Sequence, residues 1–308
     1  MDYVAIGKMI KQIRKNQGIS QEKLADGIMS AKSLGKLERG KQAINKINLD
    51  KLINKLGYVT KRFFVFPLTQ GEFHAFELHR QFKIESRKGN KKNMDDIIKE
   101  MESMPEFKSD LHKQQLLKYK ADILSQPNAS TLPEAMQLYN EAIRMSYPNF
   151  TTKLVPTYFL SSIDRDTLGA MASTMYELGQ KAEAIDLLER LAANVNNKII
   201  DMHEKARMMA FALYLLSKYY GLEGRHEESL AACNEGIEIS EANHVYGLLP
   251  DLNFNKAYIL YHLKKHNDVP ELLYTAYYCA LAHGNNRIAA SIKQYSEEHF
   301  NVMIYSGY

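Results

Sequence analysis

Lys32 and Lys36 stand four residues apart in the segment SAKSLGKLE. On a helix that spacing places both ammonium groups on one face. Lysine donates to guanine O6 and N7, the intervening Ser33 can serve several bases, and Ala31 offers a methyl contact. Nearby Gln21, Arg39, Lys41 and Asn45 are residue types that position a protein by hydrogen-bonding to phosphates. Residues 1–62 carry 14 Lys and Arg against 5 Asp and Glu, a net of +9, whereas residues 63–308 carry 26 against 31, a net of −5. A basic head on a mildly acidic body implies that only the head meets a polyanion, because lysine and arginine facing phosphates supply most of the sequence-independent affinity for nucleic acid.

Catalytic constellations are scarce. HAFELH brings His74, Glu77 and His79 together, but histidines five apart do not share a helical face as those of HExxH do, so no metal or other cofactor is expected. Glycine-rich phosphate loops, GxSxG elbows and Cys/His nucleophile pairs are absent, and the chain is not expected to be an enzyme. The two cysteines, Cys233 and Cys279, lack CxxC spacing and sit in helical patterns, as buried or half-buried free thiols do. No apolar run approaches the ~18 residues of a membrane span and no signal peptide opens the chain, so a cytoplasmic protein is expected.

The lysine pair needs a scaffold. Apolar residues recur at helical spacing in four short pieces: Ile6, Ile10 and Ile13; Leu24, Ala25 and Ile28; Leu34 and Leu37; Leu49, Leu52, Ile53 and Leu56. Gly18, Gly40 and Gly57 stand where helices end, while Ser20 and Ser30 stand where helices begin. A fifth piece, Thr60 to Phe66, closes against Pro67. Helices this short are marginal alone, so their apolar faces must pack on one another. IRKNQGISQEKLA followed by SLGKLERGK resembles the phage-repressor-like (Xre, HTH_3) helix-turn-helix class. The resemblance implies that Gln21 opens the second helix and contacts backbone phosphate, that Arg14 and Glu38 form an internal salt bridge, and that Ser30 to Glu38 is the helix entering the major groove. The turn in LADGIMSAKSL is one residue shorter than the commonest pattern of that class, and its glycine, Gly27, comes earlier.

The remaining chain repeats itself. AMASTMYELGQKAEAIDLLERLAA (170–193) aligns with LLSKYYGLEGRHEESLAACNEGI (215–237) at an offset of 45, placing Gly179 over Gly224. KAYILYHLKKHNDVPELLYTAYYCA (256–280) follows at about 41, and EAMQLYNEAIRM (134–145) is an earlier second-helix piece. Each unit predicts helix, short turn, amphipathic helix, and the series resembles tetratricopeptide repeats of longer period. Stacking such units makes the successive first helices line a concave groove. Aligned positions predict its lining: Asp166, Gly169, Ser173 and Tyr176, then Arg207, Phe211, Tyr214 and Lys218, then Leu252, Asn255, Ile259 and His262. Amide, cation and aromatic groups in this mixture suit an extended peptide.

A head of this class followed by about five degenerate repeats resembles the Rgg/PlcR/PrgX type of quorum-sensing regulators, the RRNPP family. The resemblance implies an all-α fold, with a five-helix Xre-type helix-turn-helix domain at 1–66 and a right-handed superhelix of tetratricopeptide-like hairpins at 67–308. It further implies a cytoplasmic homodimer of a Gram-positive bacterium, with double-stranded DNA bearing a palindromic operator and a short signalling peptide as its partners. The alternative is a helix-turn-helix adaptor whose repeats bind a partner protein; a smooth, charged groove would favour the adaptor, and a narrow one with inward amides the peptide.

Overall fold

The computed structural model describes residues 3–57, 70–125, 129–198 and 201–305. The described residues contain helices and no strand. The head holds α1 (Tyr3–Asn16), α2 (Gln21–Ala25), α3 (Ala31–Glu38) and α4 (Lys46–Lys55). The expected fifth helix, Thr60 to Phe66, and the domain boundary at 66/67 lie outside the described residues. Ser20 and Ser30 cap α2 and α3 by accepting from the backbone N–H groups of Lys23 and Ser33, and Asn45 does the same for α4 through Asn48. Gly18, Gly40 and Gly57 leave the helices at positive φ, and Gly27 (φ +70°) makes the shortened turn between α2 and α3. Ile10, Leu24, Leu34, Leu37, Leu49 and Leu52 form the head's core. Gly7 lets α1 lie against the end of α3, since a Cβ there would stand 2.0 Å from the Leu37 carbonyl oxygen.

The body stacks antiparallel hairpins: α5 (Gln70–Lys88) with α6 (Lys91–Ser103), α7 (Asp110–Leu124) with α8 (Leu132–Ser146), α9 (Ser162–Glu177) with α10 (Lys181–Lys198), α11 (Met202–Leu222) with α12 (His226–Ala242), and α13 (Leu249–His262) with α14 (Val269–Ala282). A last helix, α15 (Asn286–Phe300), packs on α14. Successive hairpins approach closely where one side of the crossing is glycine. A Cβ at Gly169 of α9 would meet the Phe211 ring of α11 at 2.4 Å, and one at Gly221 of α11 would meet Ile259 of α13 at 2.7 Å. The aligned glycines Gly179 and Gly224 end α9 and α11 at φ +85° and +73°; in the next unit Lys264 holds that left-handed position at φ +60°.

The head sits on the body where α8 passes to α9. Phe159, from that connection, is buried within the head's own core cluster. Lys23 Nζ lies 5.3 Å from the Phe159 ring centroid, and Lys55 Nζ donates to the Asp26 carbonyl while lying 5.9 Å from the Tyr147 ring centroid. Burial lowers the pKa of Lys55, opposed by the carboxylates of Asp26 and Asp164. Tyr147 donates its hydroxyl to the Phe159 carbonyl at 2.6 Å, fixing the segment that enters the head.

Candidate nucleic-acid interface and peptide groove

α3 separates its residues cleanly. Leu34, Leu37 and Glu38 face inward, while Lys32 and Lys36 are exposed and Ala31 and Ser33 half-buried at its first turn. Beneath it Arg14 Nε donates to Glu38 Oε1 at 2.6 Å and its terminal nitrogen to Oε2 at 2.9 Å; a third donation reaches the Ile19 carbonyl at 2.7 Å. Burial alone would raise the Glu38 pKa, but the hydrogen bonds from Arg14 and Gln21 overcome it and hold the carboxyl below its usual value. The salt bridge expected of Arg14 and Glu38 is therefore present, and it anchors α3 to α1.

Gln21 donates to Glu38 Oε2 at 2.7 Å, so its amide is tied to that ion pair as well as standing at the start of α2. Asn45 spends its side-chain oxygen on capping α4, which leaves its amide N–H groups to face solvent. Arg39 and Lys41 are exposed just beyond α3. Lys8, Lys11 and Lys15 of α1 share a shallow depression with Arg39. The sequence carried a signal for this basic shelf in the i, i+3, i+7 spacing of those lysines.

The predicted groove positions divide. Tyr214, Lys218, Asn255 and Ile259 meet in one cavity of about 360 Å³ between α11, α13 and α15. Asn255 donates through Nδ2 to Ser217 Oγ at 2.8 Å and weakly to the Tyr214 carbonyl at 3.4 Å. Tyr176 is 8% exposed, stacks on Tyr219 at 4.2 Å and donates to Glu223 at 2.6 Å, and Phe211 fills the space above Gly169. Both are thereby committed to packing between hairpins, as the equally aligned Leu252 is against Gly236. Ser173 donates to the Gly169 carbonyl at 3.1 Å, within its own helix. Arg207 pairs with Glu204 at 2.7 Å and is held protonated mainly by that hydrogen bond, with help from Asp166. His262 is exposed outside the cavity, stacked over His226 at 5.8 Å.

Alignment missed Asp251, Phe254, Tyr258 and Tyr295, which also line the cavity. Asp251 lies four before Asn255, so helical spacing could have found it; Tyr295 belongs to α15, which has no aligned partner in the repeat. Burial raises the Asp251 pKa to about 6, with a hydrogen bond from its own backbone N–H and then the charge of Lys218 pulling it back only in part. His74, Glu77 and His79 take separate partners, Glu100 at 2.7 Å, Arg80 at 2.7 Å and His112 at 2.9 Å, and do not converge. Cys233 and Cys279 are both free thiols, the first buried and the second half-buried. No helix among the described residues is long and apolar enough to cross a membrane.

Residues 10–64 match the helix-turn-helix family HTH_3. No curated protein matches the sequence. Among solved structures, the chain is similar to PlcR of Bacillus thuringiensis in complex with the peptide PapR7 and DNA, at 17% identity and a TM-score of 0.57, over 93% of this chain and 98% of that one. PlcR in its apo form gives 16% and 0.54, over 94% and 97%. ComR from S. thermophilus, in complex with DNA and its signalling peptide ComS, gives 17% and 0.50, over 94% and 97%. At such identities the likeness is one of fold, and it extends from the head through the whole stack of hairpins.

Proposed function

We propose that this chain is a transcriptional regulator of the RRNPP type, a cytoplasmic, non-enzymatic homodimer that binds duplex DNA through its head and a short signalling peptide through its repeats. The observation that carries this reading is α3: its inner face is locked by Leu34, Leu37 and the Arg14–Glu38 pair while Lys32 and Lys36 point outward together. A helix so held can enter a major groove without rearranging. Ala31, Lys32, Ser33 and Lys36 then meet base edges or adjacent phosphates, and Gln21, Arg39, Lys41 and Asn45 contact the backbone. Residues 67–308 supply peptide binding and dimerisation. Two heads must stand about one DNA turn apart, ~34–36 Å, to meet successive major grooves. A peptide shifts that arrangement only by its differential affinity for the two forms of the body.

In footprinting and anisotropy titrations on the protein's own upstream DNA, the double variant Lys32→Ala, Lys36→Ala loses specific binding, since each base contact is worth roughly 1–3 kcal/mol. Its oligomeric state and peptide affinity stay unchanged. An unaltered footprint would refute the assignment of α3. The peptide half of the proposal is tested by native mass spectrometry of protein purified from its host or mixed with spent medium, where a bound short peptide is expected and a bound folded protein would favour the adaptor.

A further inference from the structure

The cavity between α11, α13 and α15 is built asymmetrically. α13 presents Asp251 and, one turn on, Asn255. Asn255 has spent its amide N–H on Ser217 and the Tyr214 carbonyl, so what it has left is an acceptor oxygen. Asp251 forms no ion pair among the described residues, although burial penalises its charge. The α13 wall therefore offers a carboxylate and a carbonyl to a ligand, and both want donors. The facing helix α11 offers Lys218, whose ammonium wants an acceptor. Phe254, Tyr258 and Tyr295 complete the walls. Aromatic side chains beside a carboxylate whose only hydrogen-bond donor is its own backbone N–H form a cation's environment, because ring quadrupole and opposite charge act together. A single lysine opposite, its ammonium 5.1 Å from the Tyr219 ring centroid, discourages a second cation and keeps its N–H donors for a carbonyl next to the first.

We propose that this cavity is the amino-terminal subsite of the peptide groove. Asp251 takes the peptide's α-ammonium, Lys218 its first carbonyl, Asn255 a following N–H, and the aromatic walls a bulky apolar first side chain. An ammonium separated from a carbonyl by a single carbon is what a peptide's amino end presents and a lysine side chain does not. At about 360 Å³ the cavity lies within the ~300–1,000 Å³ range of small-ligand sites, room for a terminal residue but not for a folded partner. The chain would then run toward α9 and α7, where Arg207 pairs with Glu204 and Lys118 with Asp122 beside Asp166. The inference rests on the peptide-receptor reading of the body.

Ligand-observed NMR on the full-length protein tests it with phenylalanine amide, N-acetylphenylalanine amide and N-acetyl-lysine amide. Phenylalanine amide is expected to bind about tenfold more tightly than its acetylated form, a difference of one charged contact. In Asp251→Asn that advantage disappears while the thermal melt is retained. Equal binding of the two phenylalanine derivatives overturns the subsite, and so does stronger binding of N-acetyl-lysine amide, which would move the ammonium to a side chain. Capture of short random peptides by the wild-type protein separates the two levels. Peptides retained without preference for a free amino end overturn the subsite and leave the receptor standing; retention of none removes both.

Discussion

Glu38 shows how one residue serves two tasks at once. It is nearly inaccessible, accepts from Arg14 and Gln21, and by holding both it fixes the helix on which Lys32 and Lys36 stand. Its folded pKa lies below the ordinary 4.5, so the unfolded head binds more protons than the folded one as the solution is acidified. The pair's stabilisation is accordingly complete above about pH 4.5 and is lost as pH falls through the lower folded value. Glu38→Gln flattens that dependence in urea denaturation followed across pH 3–6. At neutral pH it costs about 3 kcal/mol, because Arg14 is left buried without its counter-charge. Both halves of this ion pair were legible from the motif. Asp251 was not singled out, because repeat alignment finds positions that recur and a lone carboxylate has no reason to.

At the scale of helices, the sequence announced most of the architecture through small residues. Ser20, Ser30 and Gly18 marked boundaries that the capping bonds and positive φ angles bear out, and Gly179 over Gly224 marked two equivalent turns. Legibility failed where the repeat degenerates. α5 and α6 share no aligned motif with later hairpins, and in the third aligned unit a lysine occupies the left-handed turn that glycine fills in the first two. A side chain there is strained by roughly 1–2 kcal/mol, so Lys264→Gly should raise the stability of the body by about 1 kcal/mol after the entropic cost of glycine in the unfolded chain. Calorimetry reads it as a higher melting temperature. The groove residues fared unevenly for a related reason. Periodicity assigns a face but not its occupant, and Tyr176 and Phe211, aligned like Tyr214 and Asn255, turn into the seams between hairpins instead of lining the cavity.

For the molecule as a whole, the decisive contact is one that no motif foretold. Phe159 lies in the body's chain but in the head's core, and a pattern confined to residues 1–66 cannot register a side chain that arrives from a hundred residues away. Phe159→Ala removes a ring 7% exposed and should cost about 3 kcal/mol, as large-to-small changes in cores do. It should also split thermal unfolding into two transitions, because the head no longer shares its core with the body. A single transition displaced downward would instead mean that the Lys55 and Tyr147 contacts suffice to couple the two.

That shared ring gives the protein the mechanics of a lever with a welded handle. The head is joined at the seam of the second and third hairpins, whereas the cavity opens beside the fourth and fifth. A slight unwinding between those places, too small to disturb any one hairpin, would swing α3 through an arc that grows with its distance from the pivot. Sensitivity in such a device comes from stiffness, so on the regulator reading proposed above variants that soften the joint dull the response to a peptide without weakening its capture.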